Sequence, residues 1–328
     1  MSPKPQILWI DDNPDRKKQA MDLENDSGRK VEFIPAKGKN IEELIEKIIN
    51  EYKKPKLVII DHVLDKTNSK IGTRFGSSLV GILRDTWDTC PFLGISAAGK
   101  IARIDIGEYA YDELIEGDRF SEYIRYIPNV IEGFKKCTKV DSVERWINLL
   151  KCPKEEKNRI KECIPRNIKA NVQKKGFANR AYRWFSKKFY STPGFLYDKN
   201  WVATFAGVKI EAIDKYIKYF NSAKYDGIFN NPDSMRWWKA TLYRKIYSKS
   251  KDINVATRSS QDVANEVLKV KKKFRSKCHA CGEVWPDTMA YVDDSENASM
   301  KQMHLRCTVA HPDYRYEPMF EEIRVMIG

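Results

Sequence analysis

The stretch Ile7-Leu-Trp-Ile-Asp-Asp-Asn-Pro14 decides the fold. Four apolar residues run into two adjacent carboxylates, Asp11 and Asp12, and the turn residues Asn13 and Pro14 follow at once. A buried parallel strand ends in this way when it delivers acid groups to the carboxyl edge of an open α/β sheet. A second run, Lys56-Leu-Val-Ile-Ile-Asp61, ends likewise. If the two strands are neighbours, three carboxylates crowd one spot. Like charges at that spacing call for a cation, and an all-oxygen donor set suits Mg²⁺.

Working outward, apolar runs alternate with segments of helical period as far as about residue 138. Strands are expected at Ile7–Ile10, Val31–Ile34, Leu57–Ile60, Phe92–Ser96 and Tyr111–Ile115. Helices are expected at Asp15–Glu24, at Ile41–Tyr52 behind Asn40 as N-cap, at Gly76–Trp87, and at Ser121–Cys137 with a kink or break at Pro128. Alternation of this kind, with short links, predicts a doubly wound α/β fold around a parallel five-stranded sheet.

The acid pair, the isolated Asp61, and Gly94-Ile-Ser-Ala97, each at a strand end and in this order, followed by a closing helix, resemble the receiver domain of two-component response regulators. The resemblance covers roughly residues 5–137. It implies that Asp61 accepts a phosphoryl group from the phospho-histidine of a histidine kinase. It further implies that Asp11, Asp12, Asp61 and the Val63 carbonyl hold Mg²⁺, and that Ser96 hydrogen-bonds the phosphoryl oxygens. The chemistry agrees. A carboxylate attacking a phosphoramidate meets charge repulsion that a bound cation offsets. Asp residues that merely cap helices are the plainer alternative.

The chain departs from the family at one point. Receivers carry a Lys near the end of the fifth strand; in Tyr111-Asp-Glu-Leu-Ile-Glu-Gly117 the matching position is Glu116, and no Lys or Arg lies between Arg103 and Arg119. Lys100 is the nearest substitute in sequence. Without a substitute, the chain reads as a receiver that takes phosphate without switching, or as a pseudo-receiver. The loop Asp65–Phe75, with Lys66, Lys70 and Arg74, is long for the family.

The chain has 328 residues and a net charge of +14. Residues 1–140 hold 23 Lys and Arg against 23 Asp and Glu, so the whole excess lies beyond them; residues 151–250 alone hold 23 against 8. This asymmetry divides the chain into a receiver-like domain at 1–138, a basic and mainly α-helical output or interaction domain at 139–275, and a Cys/His tail at 276–328. The basic region would attract a polyanion such as nucleic acid, or it is simply a solvated surface. Helices are expected at Val143–Leu150, Lys154–Ile164, Asn167–Phe189, Lys209–Tyr225, Ser234–Ser248 and Gln261–Phe274. Aromatic and basic residues interleave in 177–190, Arg236–Lys239 and Tyr243–Tyr247, a pattern that serves either base stacking or a core with a wet basic face. Val202–Ile213, with Ala203, Gly207, Val208 and Ile213, has the spacing of a helix-turn-helix or of an ordinary helical hairpin.

In the tail, Lys277-Cys-His-Ala-Cys-Gly282 and His304-Leu-Arg-Cys307 supply two close pairs of soft or borderline ligands. Cys278, Cys281, His304 and Cys307 would close a tetrahedral, structural Zn²⁺ site, with His279 and His311 in reserve. Buried free thiols are the alternative. Cys90, Cys137, Cys152 and Cys163 read as ordinary core or helix residues.

An odd Cys count, no apolar run long enough to span a bilayer, and a start that runs straight into a strand are expected of a cytoplasmic protein. No Gly-rich phosphate loop and no Ser/His/Asp set follows residue 140. The function expected is a response-regulator-like signalling protein with a partner-binding output. A DNA-binding regulator, and a pseudo-receiver or phosphate sink that competes with another regulator, are the alternatives.

Overall fold

The structure, a computed structural model, describes residues 5–64, 76–96, 110–249, 260–284, 288–292, 300–304, 307–310 and 325–327. Lys100, Ala97, His311 and the loop Asp65–Phe75 lie outside the described residues. By contact the chain divides into two compact units. The first comprises Met1–Leu150, Ile160–Trp184 and Gly227–Asp233, and the second comprises Lys151–Arg159, Phe185–Asp226 and Ser234–Gly328. The expected divisions at 138/139 and 275/276 follow charge and composition, and neither coincides with this contact boundary.

The first unit is built on five parallel strands: β1 (Ile7–Asp11), β2 (Val31–Pro35), β3 (Leu57–Asp61), β4 (Phe92–Ser96) and β5 (Glu113–Glu116), in the order β2-β1-β3-β4-β5. β1 pairs with β3 from Ile7↔Leu57 to Ile10↔Ile60, and β4 pairs with β5 from Leu93↔Glu113 to Ser96↔Glu116. Strand alternation sorts the apolar residues onto two faces. Leu8, Ile10, Val58 and Ile60 pack with Ile41, Leu44, Ile48, Leu79, Val80 and Leu83 from helices α2 (Ile41–Glu51) and α3 (Gly76–Thr86). Ile7, Trp9, Leu57 and Ile59 pack with Ala20 and Leu23 of α1 (Arg16–Ser27), Phe120 and Ile124 of α4 (Phe120–Ile124), and Ile127 and Ile131 of α5 (Ile127–Cys137). Both faces are covered, which is why β1 and β3 read as unbroken apolar runs.

Local chemistry sets the boundaries. Asn40 caps α2 by accepting from the Glu43 N–H at 3.1 Å. α1 ends at Gly28, whose φ of +62° lets its N–H close back on the Glu24 carbonyl at 3.0 Å. The closing helix expected at Ser121–Cys137, with a kink or break at Pro128, is broken into α4 and α5. Pro128 stands in the first turn of α5, where its missing N–H costs nothing, so it starts a helix rather than kinking one. β5 begins two residues later than expected. Tyr111 and Asp112 are buried ahead of it, and Asp112 accepts from Arg84, Arg183, Asn179 and the Phe92 N–H.

The second unit is mainly helical, but not in the long helices that its periodicity suggests. Lys209–Tyr225 is two 3₁₀ segments, Ile210–Lys215 and Ile217–Ala223. Gln261–Phe274 lies in short α, π and 3₁₀ pieces. Within Ser234–Ser248, Trp237–Trp238 forms a strand antiparallel to Leu196–Tyr197, and only Lys239–Tyr247 is α-helical. The helix-turn-helix spacing is core packing. Ala203, Val208 and Ile213 are fully buried, and a turn at Gly207 leads into 3₁₀ helix rather than the α-helix that enters a major groove. Gly207 is required there: its φ is +64°, and a Cβ would lie 2.2 Å from the Ser260 carbonyl. Trp237 and Trp238 are buried, as are Phe185, Phe189 and Tyr190, so these aromatics are core and not stacking platforms. In the tail, Thr288–Val292 and Met300–His304 form an antiparallel pair, and the Gln302 side chain donates to the Val208 carbonyl at 2.8 Å. Among the described residues, no helix is long and apolar enough to cross a membrane.

Candidate functional site

The strand order reverses direction between β1 and β3, and the carboxyl edge at such a switch point is where open α/β sheets hold ligands. Asp11 ends β1, Asp12 follows it, and Asp61 ends β3. One oxygen from each of the three lies within 4.8 Å of the others. Asp11 and Asp12 are buried, and Asp61 is half-buried.

Asp11 and Asp61 are held by neighbouring N–H groups. The Trp9 indole N–H donates to Asp11 Oδ2 at 3.2 Å from the same face of β1, and the Asn13 N–H donates to Asp11 Oδ1 at 2.8 Å. The Val63 N–H donates to the Asp61 carboxylate. Burial pushes the Asp11 carboxyl up, against the hydrogen bonds from Asn13 and Trp9. Burial, then the charges of Asp11 and Asp12, carry Asp61 up to about 7 despite the Val63 N–H and the Arg16 guanidinium. The corner is therefore acid-rich beyond what its own hydrogen bonds compensate. A hard divalent cation with oxygen ligands fits this donor set.

Two more polar atoms frame the corner. Ser96 ends β4, is 1% exposed, and its buried Oγ has no hydrogen-bond partner among the described residues. Glu116 ends β5 directly across from Ser96. Tyr111 lies edge-on to the buried His62 ring at 5.7 Å. Burial, then the Asp61 charge, raises the Tyr111 phenol. Gly76, at the start of α3, is fixed by the same crowding, since a Cβ there would stand 2.1 Å from the Asp61 carbonyl.

Sequence reasoning missed Arg16. It sits at the start of α1, four residues beyond Asp12, so its side chain reaches the same sheet edge. It donates to Gln19 Oε1 at 2.6 Å and to the Gly117 carbonyl at 3.5 Å, and its charge lowers both Asp11 and Asp61. The position was legible, because a residue in the first turn after β1 faces the carboxyl edge. The run Arg16-Lys-Lys18 instead looks like solvated charge.

A second cluster lies in the tail of the second unit. Ligand atoms of Cys278, Cys281, His304 and Cys307 all fall within 4.8 Å of one another. The tight knuckle holds Gly282 at φ +74°, with its N–H on the Cys278 carbonyl at 2.9 Å. The His304 N–H points at Cys278 Sγ from 3.4 Å, and Cys281 Sγ stands 3.3 Å from His304 Nδ1. Burial raises the Cys278 thiol, but the backbone N–H groups of Cys281, His304 and Ala280 bring it down to about 7. Three thiols and one imidazole at mutual contact are a donor set for a tetrahedral, borderline-soft metal. Among the described residues, these two clusters are the only groups of three or more such ligands.

A five-stranded parallel sheet in the order β2-β1-β3-β4-β5, with an acid corner at its switch point, defines a receiver-like fold in the N-terminal part of the chain. Similar solved structures include response-regulator receivers. The receiver domain of NtrX from Brucella abortus shares 20% identity, covering 36% of this chain and 97% of that one, with a TM-score of 0.28. A response regulator receiver domain protein from Clostridium thermocellum shares 15%, covering 38% and 94%, with a TM-score of 0.29. NtrX from Brucella abortus in complex with ADP shares 18%, covering 52% of this chain and 35% of that one, with a TM-score of 0.33, so the match spans about a third of that protein. No protein-family model matches the chain, and no curated protein matches it.

Proposed function

We propose that the first unit is a phosphoacceptor in a two-component signalling system, with Asp61 taking the phosphoryl group from a histidine kinase. The observation that carries this is the convergence of Asp11, Asp12 and Asp61 at the switch point beside a buried Ser96 hydroxyl that has no hydrogen-bond partner among the described residues. Asp11, Asp12, Asp61 and the Val63 carbonyl would hold Mg²⁺, which supplies the positive charge that lets an anion accept another anion. An Asp61 oxygen attacks phosphorus in line, and the phosphorus–nitrogen bond to the donor imidazole breaks. The bonding pair stays on that nitrogen, and Asp61 becomes an acyl phosphate. The Ser96 hydroxyl donates to a phosphoryl oxygen.

Glu116 favours a second reading, a receiver that takes phosphate but does not relay it by the usual route, and so acts as a phosphate sink or pseudo-receiver. The basic excess of residues 151–250 supports a polyanionic or protein partner for that stretch of the chain, though no longer through a helix-turn-helix. Cys278, Cys281, His304 and Cys307 would hold a structural Zn²⁺ that pins the hairpin to the Cys-x-x-Cys knuckle. The cytoplasm is the compartment that suits a kinase-fed receiver. Incubation with acetyl phosphate and Mg²⁺, followed by a phosphate-affinity gel, tests the central role. A retarded band that disappears in Asp61→Ala is expected, and a wild type with no Asp61-dependent band favours the pseudo-receiver.

A further inference from the structure

The family resemblance calls for a Lys at the end of the fifth strand, and this chain has Glu116 there, across from Ser96. The same corner nevertheless holds a cation. Arg16 reaches over from the start of α1 to the Gly117 carbonyl at 3.5 Å, one residue past that position. Gly117 in turn donates to the Ser96 carbonyl at 2.8 Å, so the guanidinium stands beside the residue that carries the buried Ser96 hydroxyl. Gly117 also makes the room. A Cβ on it would lie 2.4 Å from Arg16 Nη2 and 3.2 Å from the Ser96 carbonyl. The Gln19 side chain holds Nη1 at 2.6 Å and keeps the fork from swinging out to solvent.

We infer that Arg16 supplies, from α1, the cationic contact to the phosphoryl group on Asp61 that receivers draw from a fifth-strand Lys. The inference rests on the phosphoacceptor reading of Asp61. A guanidinium suits the task, since it is permanently charged and its fork matches phosphoryl oxygens. With Arg16 in that role, Glu116 no longer abolishes the contact. It moves the contact to a different element, so phosphorylation would draw on α1 rather than on the end of β5.

The test compares initial rates of phosphorylation by acetyl phosphate in full-length protein, with Mg²⁺ affinity read in parallel from tryptophan fluorescence, to which Trp9 reports through Asp11. Arg16→Ala should slow phosphorylation by about tenfold or more, the worth of one charge-assisted hydrogen bond. It should leave Mg²⁺ affinity unchanged or tighter, because removing a cation cannot weaken cation binding. Gly117→Ala, which displaces the guanidinium, should slow phosphorylation as well. Arg16→Ala combined with Glu116→Lys should recover the rate, which a merely structural role for Arg16 would not allow. Arg16→Ala at the wild-type rate overturns the inference while leaving Asp61 as acceptor. So does a loss of both rate and Mg²⁺ affinity that Glu116→Lys fails to rescue, or a loss in Lys100→Ala alone. A wild type that takes up no phosphoryl group overturns the phosphoacceptor reading and this inference with it.

Discussion

Replacing Asp61 with Asn should stabilise the first unit in Mg²⁺-free buffer at pH 8 and leave it unchanged near pH 4. Folding lifts the Asp61 carboxyl from its ordinary 3.8 to about 7, first through burial and then through the Asp11 and Asp12 charges. Between those values the folded protein holds a proton that the unfolded chain has released. Stability therefore falls as pH rises through that window, and the cost is fully felt above 7. The whole displacement would be worth about 4 kcal/mol, and solvent screening of a half-buried group reduces this to about 1–2 kcal/mol. Asn keeps an oxygen for the Val63 N–H and removes the charge. For a unit of this size, that gain raises the melting temperature by about 2–8 °C. Thermal denaturation followed by circular dichroism, from pH 4 to pH 8, measures it. The buffer must be free of Mg²⁺ but must contain no chelator, so that the Cys/His cluster is left alone. Adding Mg²⁺ at pH 8 should stabilise the wild type more than the variant and narrow the difference. An Asp61→Asn protein that melts at or below the wild type at pH 8, or a difference independent of pH, would refute the charge-crowding argument.

Two further outcomes follow from the packing and the thiol cluster. Protein purified without chelator should carry about one zinc per chain by elemental analysis, and Cys278→Ser should lose it along with the protease resistance of the tail; less than about 0.2 zinc per chain would remove the metal assignment. Gly94→Ala should destabilise the first unit by about 1–3 kcal/mol in urea unfolding, because a Cβ there would meet Leu114 at 2.6 Å and the Tyr111 ring at 2.9 Å. A neutral result would show that β5 shifts freely.

The first unit was largely legible because its signals are local and mutually consistent. Ile7–Ile10 and Leu57–Ile60 are apolar on both faces, each ends in an acid, and α2 announces itself with Asn40 and a clean apolar stripe. Those features place Asp11, Asp12 and Asp61 on one edge from the sequence alone. The start of β5 was misjudged because Asp112, a polar residue, is buried by partners from distant parts of the chain, Arg84, Asn179 and Arg183. Such partners leave no trace in a local pattern. Arg16 is different: its place in the first turn after β1 is legible, but the run Arg16-Lys-Lys18 reads as solvated charge, and its partner Gly117 lies far along the chain.

The second unit was hard to read because its aromatics mimic helical period while being held by tertiary packing. Ile213 and Phe220 are buried from 3₁₀ turns, and Trp237 and Trp238 from a two-residue strand too short to show alternation. The Cys/His cluster was the exception. Two close pairs of rare residues stand out whatever the backbone does, and the structure brings all four together.

The central claim is that Asp61 is a phosphoacceptor, and intact-protein mass spectrometry after incubation with acetyl phosphate and Mg²⁺ tests it most directly. The account predicts that wild-type protein gains the mass of one phosphoryl group, that the adduct is cleaved by hydroxylamine as an acyl phosphate is, and that Asp61→Asn gains nothing. A wild type that gains no mass with acetyl phosphate or a kinase donor, or an adduct that persists in Asp61→Asn, would contradict it.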